Sequence, residues 1–159
     1  MNSTYLLLGS NMGNSAELLS NAIKQIENKI GPLLLSSNLY ATAAWGNTSQ
    51  PDFLNQVIKI TTHLAAAETL AIILSIEKNM GRIRTTKNAP RIIDIDILFF
   101  NNEIINQCDL IVPHPEIQNR RFVLTPLQEI APQMIHPVLN KTIDQLLSQC
   151  PDQLAVKKI

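Results

Sequence analysis

The chain has 159 residues, 45% hydrophobic and 16% charged, a composition that supports a sizeable core and excludes a disordered or low-complexity chain. Lys and Arg number 13 and Asp and Glu also 13, so no global charge draws the protein to nucleic acid or to a membrane surface. Cys108 and Cys150 show neither metal nor redox spacing, the N-terminus lacks a signal-peptide pattern, and no stretch approaches about 18 apolar residues, so a cytoplasmic protein is expected.

Residues 5–8 form a short β-like run ended by Gly9. Residues 14–30 place Leu18, Leu19, Ala22, Ile23, Ile26 and Ile30 on one helical stripe, opened by Asn14 with Glu17 three residues on and closed by Gly31-Pro32. Gly9 and Gly13 are too few and too widely set for a phosphate-cradling loop, so GSNMGN reads as a turn into that helix. Residues 33–40 predict a second strand, followed by the polar loop ATAAWGNTSQPD. Residues 53–62 alternate as a third strand, with Leu54, Ile58 and Ile60 on one side and Phe53, Asn55 and Val57 on the other. Residues 65–80 predict a second amphipathic helix closed by Gly81, and residues 91–100 a fourth strand turning at Asn101-Asn102. From Val112 on, Pro113, Pro115, Pro126, Pro132 and Pro137 break the chain into loops and short helices. The order β-α-β-β-α-β is that of the ferredoxin-like arrangement: an α+β fold with an antiparallel-rich sheet and both helices on one face. The C-terminal additions would complete α/β/α layers, in one domain over residues 1–159.

The fourth strand, APRIIDIDILFF, poses a chemical problem. Alternation sends Asp94 and Asp96 to the same face, roughly 6–7 Å apart. Ile93, Ile95, Ile97 and Phe99 would face the helices, with Ile92, Leu98 and Phe100 beside the acids. Two carboxylates in so apolar a run need a cation. Arg82 or Arg91 could supply it, or a divalent ion such as magnesium, which takes one or two carboxylates and completes its shell with water and phosphate oxygens. Between Lys78 and Ile93 there are five basic residues and no acid. A cationic loop feeding an acidic strand suits phosphoryl transfer. Trp45, Phe53 and Phe122 sit in polar contexts, and Phe53 shares a face with Asn55, a combination suited to stacking and hydrogen-bonding a flat heterocycle.

Four segments together resemble the 6-hydroxymethyl-7,8-dihydropterin pyrophosphokinase family: LLLGSNMGN, QPDFLN, GRIR with APRIIDIDILFF, and VPHPEIQNRRFVLTPLQEIAP. They follow the family's order and span most of the chain. The resemblance implies transfer of pyrophosphate from ATP to the hydroxymethyl group of the dihydropterin, with AMP as the other product, in folate biosynthesis. It implies two magnesium ions, arriving with ATP, on Asp94 and Asp96, and stabilisation of the transferring group by Arg82 and Arg91. The pterin would contact Thr42, Ala43, Ala44, Trp45 and Asn55 and lie between Phe53 and Phe122. The nucleotide would meet Glu77, Arg84, Lys87, Ile97, His114 and Arg120. ATP and the pterin are the expected partners of a monomer, with no nucleic acid and no membrane. Two departures stand out: Ala43-Ala44 where many members carry two prolines, and Lys87-Asn88-Ala89-Pro90-Arg91 where many carry R-W-G-P-R. The rival readings are another two-metal nucleotide phosphotransferase and a ferredoxin-like nucleic-acid-binding module. The latter is disfavoured by the acids on the strand and the lack of an RNP-like aromatic run.

Overall fold

In the computed structural model, which describes residues 1–43, 51–82 and 91–159, β1 (Asn2–Ser10) lies between two antiparallel neighbours, β4 (Phe53–Thr62) and β5 (Asp94–Phe100). β2 (Leu33–Ser36) and β3 (Tyr40–Thr42) pair with β4, and β8 (Val156–Lys158) adds a further strand outside β3. The sheet order β5-β1-β4-β3-β8 contains the expected ferredoxin-like core. A small second ladder joins β6 (Ile105–Asn106) to β7 (Ile111–Val112).

Each sheet face buries a different set of helices because alternate strand residues point to opposite sides. α1 (Ser15–Lys29) and α2 (Ala66–Asn79) cover one face, packing Leu19, Ala22, Ile26, Ile73 and Ile76 against Leu6, Leu8, Ile58, Ile60, Ile95 and Ile97. α3 (Arg121–Ile130) and α4 (Ile143–Ser148) cover the other, packing on Tyr5, Leu7, Val57, Leu98 and Phe99. The α/β/α layering follows. α1 starts where its cap predicts: Asn14 Oδ1 accepts the Glu17 N–H at 3.3 Å.

Three local expectations are corrected. The strand expected over residues 33–40 is two strands, because Ser37 interrupts the ladder: its N–H donates to the Val57 carbonyl at 2.8 Å and its Oγ accepts the Val57 N–H at 3.0 Å. The fourth strand starts at Asp94 rather than Arg91. Arg91 pairs instead with Asn11, whose Oδ1 accepts the Arg91 N–H at 2.8 Å while its own N–H donates to the Arg91 carbonyl at 3.1 Å. Ile92, ahead of the strand, therefore packs with the α1/α2 layer and not beside the acids. Finally, β5 carries a bulge. Leu6 sits opposite Ile97 and Tyr5 opposite Phe99, which leaves Leu98 without an opposite residue. Leu98 and Phe99 both turn to the α3/α4 layer and Phe100 to the α1/α2 layer, reversing the faces expected for the two phenylalanines. The Leu98 carbonyl accepts the His114 N–H at 3.0 Å, so the bulge also anchors the segment after β7.

Gly31 marks where α1 meets the sheet. A Cβ there would lie 1.8 Å from the Thr61 carbonyl oxygen, and backbone cannot rotate aside. Gly31→Ala is expected to lower the unfolding free energy by about 3 kcal/mol or more in urea titration. A loss below about 1 kcal/mol would show that the helix–strand junction yields.

Candidate active site

On the α3/α4 side of the sheet, a cavity of about 290 Å³ is floored by β1, β4 and β5. The register determines which side chains meet there. Gly9 of β1 lies opposite Asn55 of β4 and opposite Asp94 of β5, and one row further Leu7 lies opposite Val57 and Asp96. Gly9 contributes no side chain between its two polar neighbours. A Cβ at this position would come 2.7 Å from Asn55 Oδ1. Gly9 and Leu7 line the cavity and were not singled out by the sequence reading. A glycine inside a strand hints at a close approach, but only the register says to what.

One wall suits a flat, polar-edged molecule. Phe53, Thr42 and Ala43 line the cavity, as does Phe122 from the first turn of α3. Asn55 is 3% exposed, and its Nδ2 has no hydrogen-bond partner among the described residues. A buried amide donor without an acceptor is costly, and a bound ligand offering one would relieve it. The Arg91 guanidinium lies 5.8 Å from the Phe53 ring centroid, and that of Arg120 lies 5.9 Å from Phe122.

The opposite wall is charged. Arg82, with a side chain 9% exposed, donates through Nη1 to Asp94 Oδ1, to Glu77 Oε2 at 3.1 Å and to the Ile93 carbonyl at 3.3 Å. Burial works against its charge, but Asp94, Glu77 and Asp96 outweigh that and raise its pKa. Arg91 Nη1 is 3.8 Å from Asp94 Oδ2. In this structure the cation beside Asp94 is thus arginine. Asp96 is different. Burial first, then the negative charges of Asp94 and Glu77, push its pKa from 3.8 to about 7, with Arg120 and Arg82 offsetting only part. Asp96 therefore resists ionisation in the ligand-free protein.

Of the remaining expected residues, His114 and Arg120 line the cavity. His114 Nδ1 accepts the Glu116 N–H at 3.1 Å, and burial followed by the nearby Arg120 charge lowers its pKa. The ring is therefore neutral at pH 7, with its proton on Nε2. Glu77 and Ile97 lie outside the cavity lining. Glu77 is 2% exposed, and its Oε2 accepts the Ile95 N–H at 2.8 Å as well as Arg82, so its carboxylate ties α2 to β5 beneath the site. The Ile97 side chain is buried in the α1/α2 core, which leaves only its backbone for a nucleotide. Ala44, Trp45, Arg84 and Lys87 fall outside the described residues. His136 shapes its own loop, accepting the Val138 and Leu139 N–H groups on Nδ1. Among the described residues, no group of three or more His, Cys, Asp or Glu could hold a metal by itself, and no helix is long and apolar enough to cross a membrane.

The raised value at Asp96 has a measurable consequence. A folded-state pKa above the unfolded one means that protonation stabilises the fold. That contribution is complete below pH 3.8 and lost as pH rises through about 7. Asp96→Asn, which mimics the protonated acid, should therefore stabilise the ligand-free protein by about 1–3 kcal/mol at pH 8, the advantage shrinking towards pH 4. Denaturant titrations across that range measure it, and a gain independent of pH would contradict the raised Asp96 pKa.

Residues 5–132 match the family described as 7,8-dihydro-6-hydroxymethylpterin-pyrophosphokinase (HPPK). The chain is 40% identical over 145 residues to the 2-amino-4-hydroxy-6-hydroxymethyldihydropteridine pyrophosphokinase of Aquifex aeolicus, covering 91% of this chain and 90% of that protein. It is 38% identical over 151 residues to the folic acid synthesis protein FOL1 of Dictyostelium discoideum, covering 95% of this chain but 23% of that one. The counterpart in Pneumocystis carinii is 37% identical over 148 residues, with 93% of this chain and 20% of that protein covered, so the chain spans under a quarter of these two longer relatives. The fold is shared with wild-type HPPK-DHPS of Plasmodium falciparum, with a TM-score of 0.77 at 19% identity over 93% of this chain and 44% of that one. With a profile match over most of its length and a relative covered almost end to end, the chain belongs to the 7,8-dihydro-6-hydroxymethylpterin-pyrophosphokinase family.

Proposed function

We propose that the protein transfers pyrophosphate from ATP to the hydroxymethyl group of 6-hydroxymethyl-7,8-dihydropterin, releasing AMP, as a step of folate biosynthesis. The observation that carries this reading is the Asn55 Nδ2, without a hydrogen-bond partner among the described residues, in a cavity also lined by Phe53 and Phe122 and in the same cross-strand row as Asp94. Two strand spacings separate Asn55 from Asp94, about 10 Å. A ring held at Asn55 would thus direct a short arm towards the acids across the gap left by Gly9.

The roles follow from the chemistry of each group. Asn55 Nδ2 donates to a ring acceptor, and Phe53 and Phe122 stack on the ring faces and exclude water. The substrate hydroxyl oxygen bonds to the β-phosphorus as the bond from that phosphorus to the α–β bridging oxygen breaks. AMP departs with the bridging oxygen, and the hydroxyl proton is released. Arg91 and Arg82 balance the charge that builds on the transferring oxygens. Neutral His114 offers an Nε2–H to a phosphate oxygen, and Arg120, whose Nε has no partner among the described residues, offers a further donor.

Asp94 and Asp96 fit magnesium: both are oxygen donors, Arg120 and Arg82 offset only part of what opposes the Asp96 charge, and two carboxylate ligands would leave room for water and phosphate oxygens. Two such ions, when bound, would neutralise the phosphate oxygens and the leaving AMP.

The test is a product analysis of purified protein with ATP, magnesium and the dihydropterin. AMP and pterin diphosphate should appear in equal amounts. ADP, or phosphate with unmodified pterin, would overturn the reading. Asp94→Asn should lower turnover about 100-fold or more while circular dichroism stays unchanged. Turnover near that of the parent would remove the metal assignment.

A further inference from the structure

We propose that the C-terminal tail, through Asp152, is a positioning element for the pterin wall, a role that rests on the functional reading above. α3 presents Phe122 and begins at Arg121, yet the residue at its N-cap, Arg120, supplies no capping side chain. The cap comes from 31 residues away. Asp152, 7% exposed, accepts the Arg121 N–H on Oδ2 at 3.0 Å, and its carbonyl accepts Arg121 Nε–H at 2.9 Å. Its Oδ1 accepts the Leu154 N–H at 3.0 Å, which fixes the carboxylate's orientation. A carboxylate on the first N–H of a helix is a charge-assisted bond that also complements the helix dipole.

Immediately beyond Asp152 the tail grips the facing wall. The Ala155 carbonyl accepts Thr42 Oγ–H at 3.2 Å, and β8 pairs with β3, Val156 opposite Thr42 and Lys158 opposite Tyr40. Seven consecutive residues, 152–158, therefore hold both the helix that carries Phe122 and the strand that leads into Ala43. None of them lies within residues 5–132, the part that matches the family. β3 is thus held on both edges, by β4 on one side and by the tail on the other. Asp152 touches no substrate in this scheme; it acts through Arg121, Phe122 and Thr42.

The experiment is calorimetric titration of the full chain and of Asp152→Asn and Asp152→Ala, below their melting transitions and with magnesium present. Each is titrated with a non-hydrolysable ATP analogue, then with 6-hydroxymethyl-7,8-dihydropterin in the presence of that analogue. Asp152→Ala should bind the pterin about five- to tenfold more weakly and the nucleotide within about twofold of the parent. Asp152→Asn, which keeps one acceptor oxygen, should lose about two- to threefold on the pterin alone, and it carries the test if the alanine variant does not fold. Unchanged pterin affinity, or equal losses for both ligands, overturns the proposal. A parent chain that binds the nucleotide but no pterin overturns the functional reading itself.

Discussion

A buried carboxylate, Glu77, holds the charged half of the site together. It sits in the last turn of α2 and accepts both the Ile95 N–H of β5 and the Arg82 guanidinium. Arg82 in turn reaches Asp94 and the Ile93 carbonyl. One ion pair thus locks the end of a helix, the start of the acidic strand and the entry to the basic segment after it. Such a pair is not kept for stability, because desolvating two charges offsets most of their attraction. Its effect is positional: each partner is held by more than one bond, so the first residue of β5 is aimed into the cavity. The same arrangement leaves Asp96 underserved, since Arg82 is committed to Glu77 and Asp94. Three carboxylates, Glu77, Asp94 and Asp96, thus act on the one buried arginine.

Two irregularities of the sheet shape the space around that charge. Gly9 removes a side chain from the row between Asn55 and Asp94, opening a floor where any other residue would collide with the Asn55 amide. The bulge at Leu98 ends the alternation just beyond the acids. It turns Phe99 into the α3/α4 core against Tyr5 and His136, whose rings meet it edge-on at 6.2 Å and 5.5 Å between centroids. It also turns the Leu98 carbonyl to the His114 N–H. Asp94 and Asp96 keep one direction because the bulge comes after them, and His114 arrives beside them because the bulge anchors it.

Local chemistry made the elements legible. The 53–62 strand coincides with its alternation pattern, and α1 begins after Asn14 because an amide followed by Glu17 satisfies the exposed N–H groups of a first turn. Residues that act through contacts distant in sequence were harder to read. Glu77 was assigned to the nucleotide by the family resemblance alone, and nothing local in the sequence showed that its Oε2 accepts from Ile95 and Arg82. Ile97 lies in the motif strand, but the pleat sends its side chain to the far core. Leu7 and Asp152 gave no local signal, and Gly9 only the hint of a close approach, because each matters through what a partner strand or helix places opposite it.

The sequence by itself determined the order of elements, the faces of β4, the pairing of two acids with a basic stretch, and a family resemblance that the comparisons support. These depend on spacing along the chain, which the periods of strand and helix convert directly into direction. Tertiary structure alone decided where β5 begins and bulges, which arginine neutralises Asp94, that Asp96 is left near pH 7, and that the tail caps α3. Those outcomes turn on register and on competition among several buried charges for few partners, and both are settled only when segments far apart in the chain are packed together.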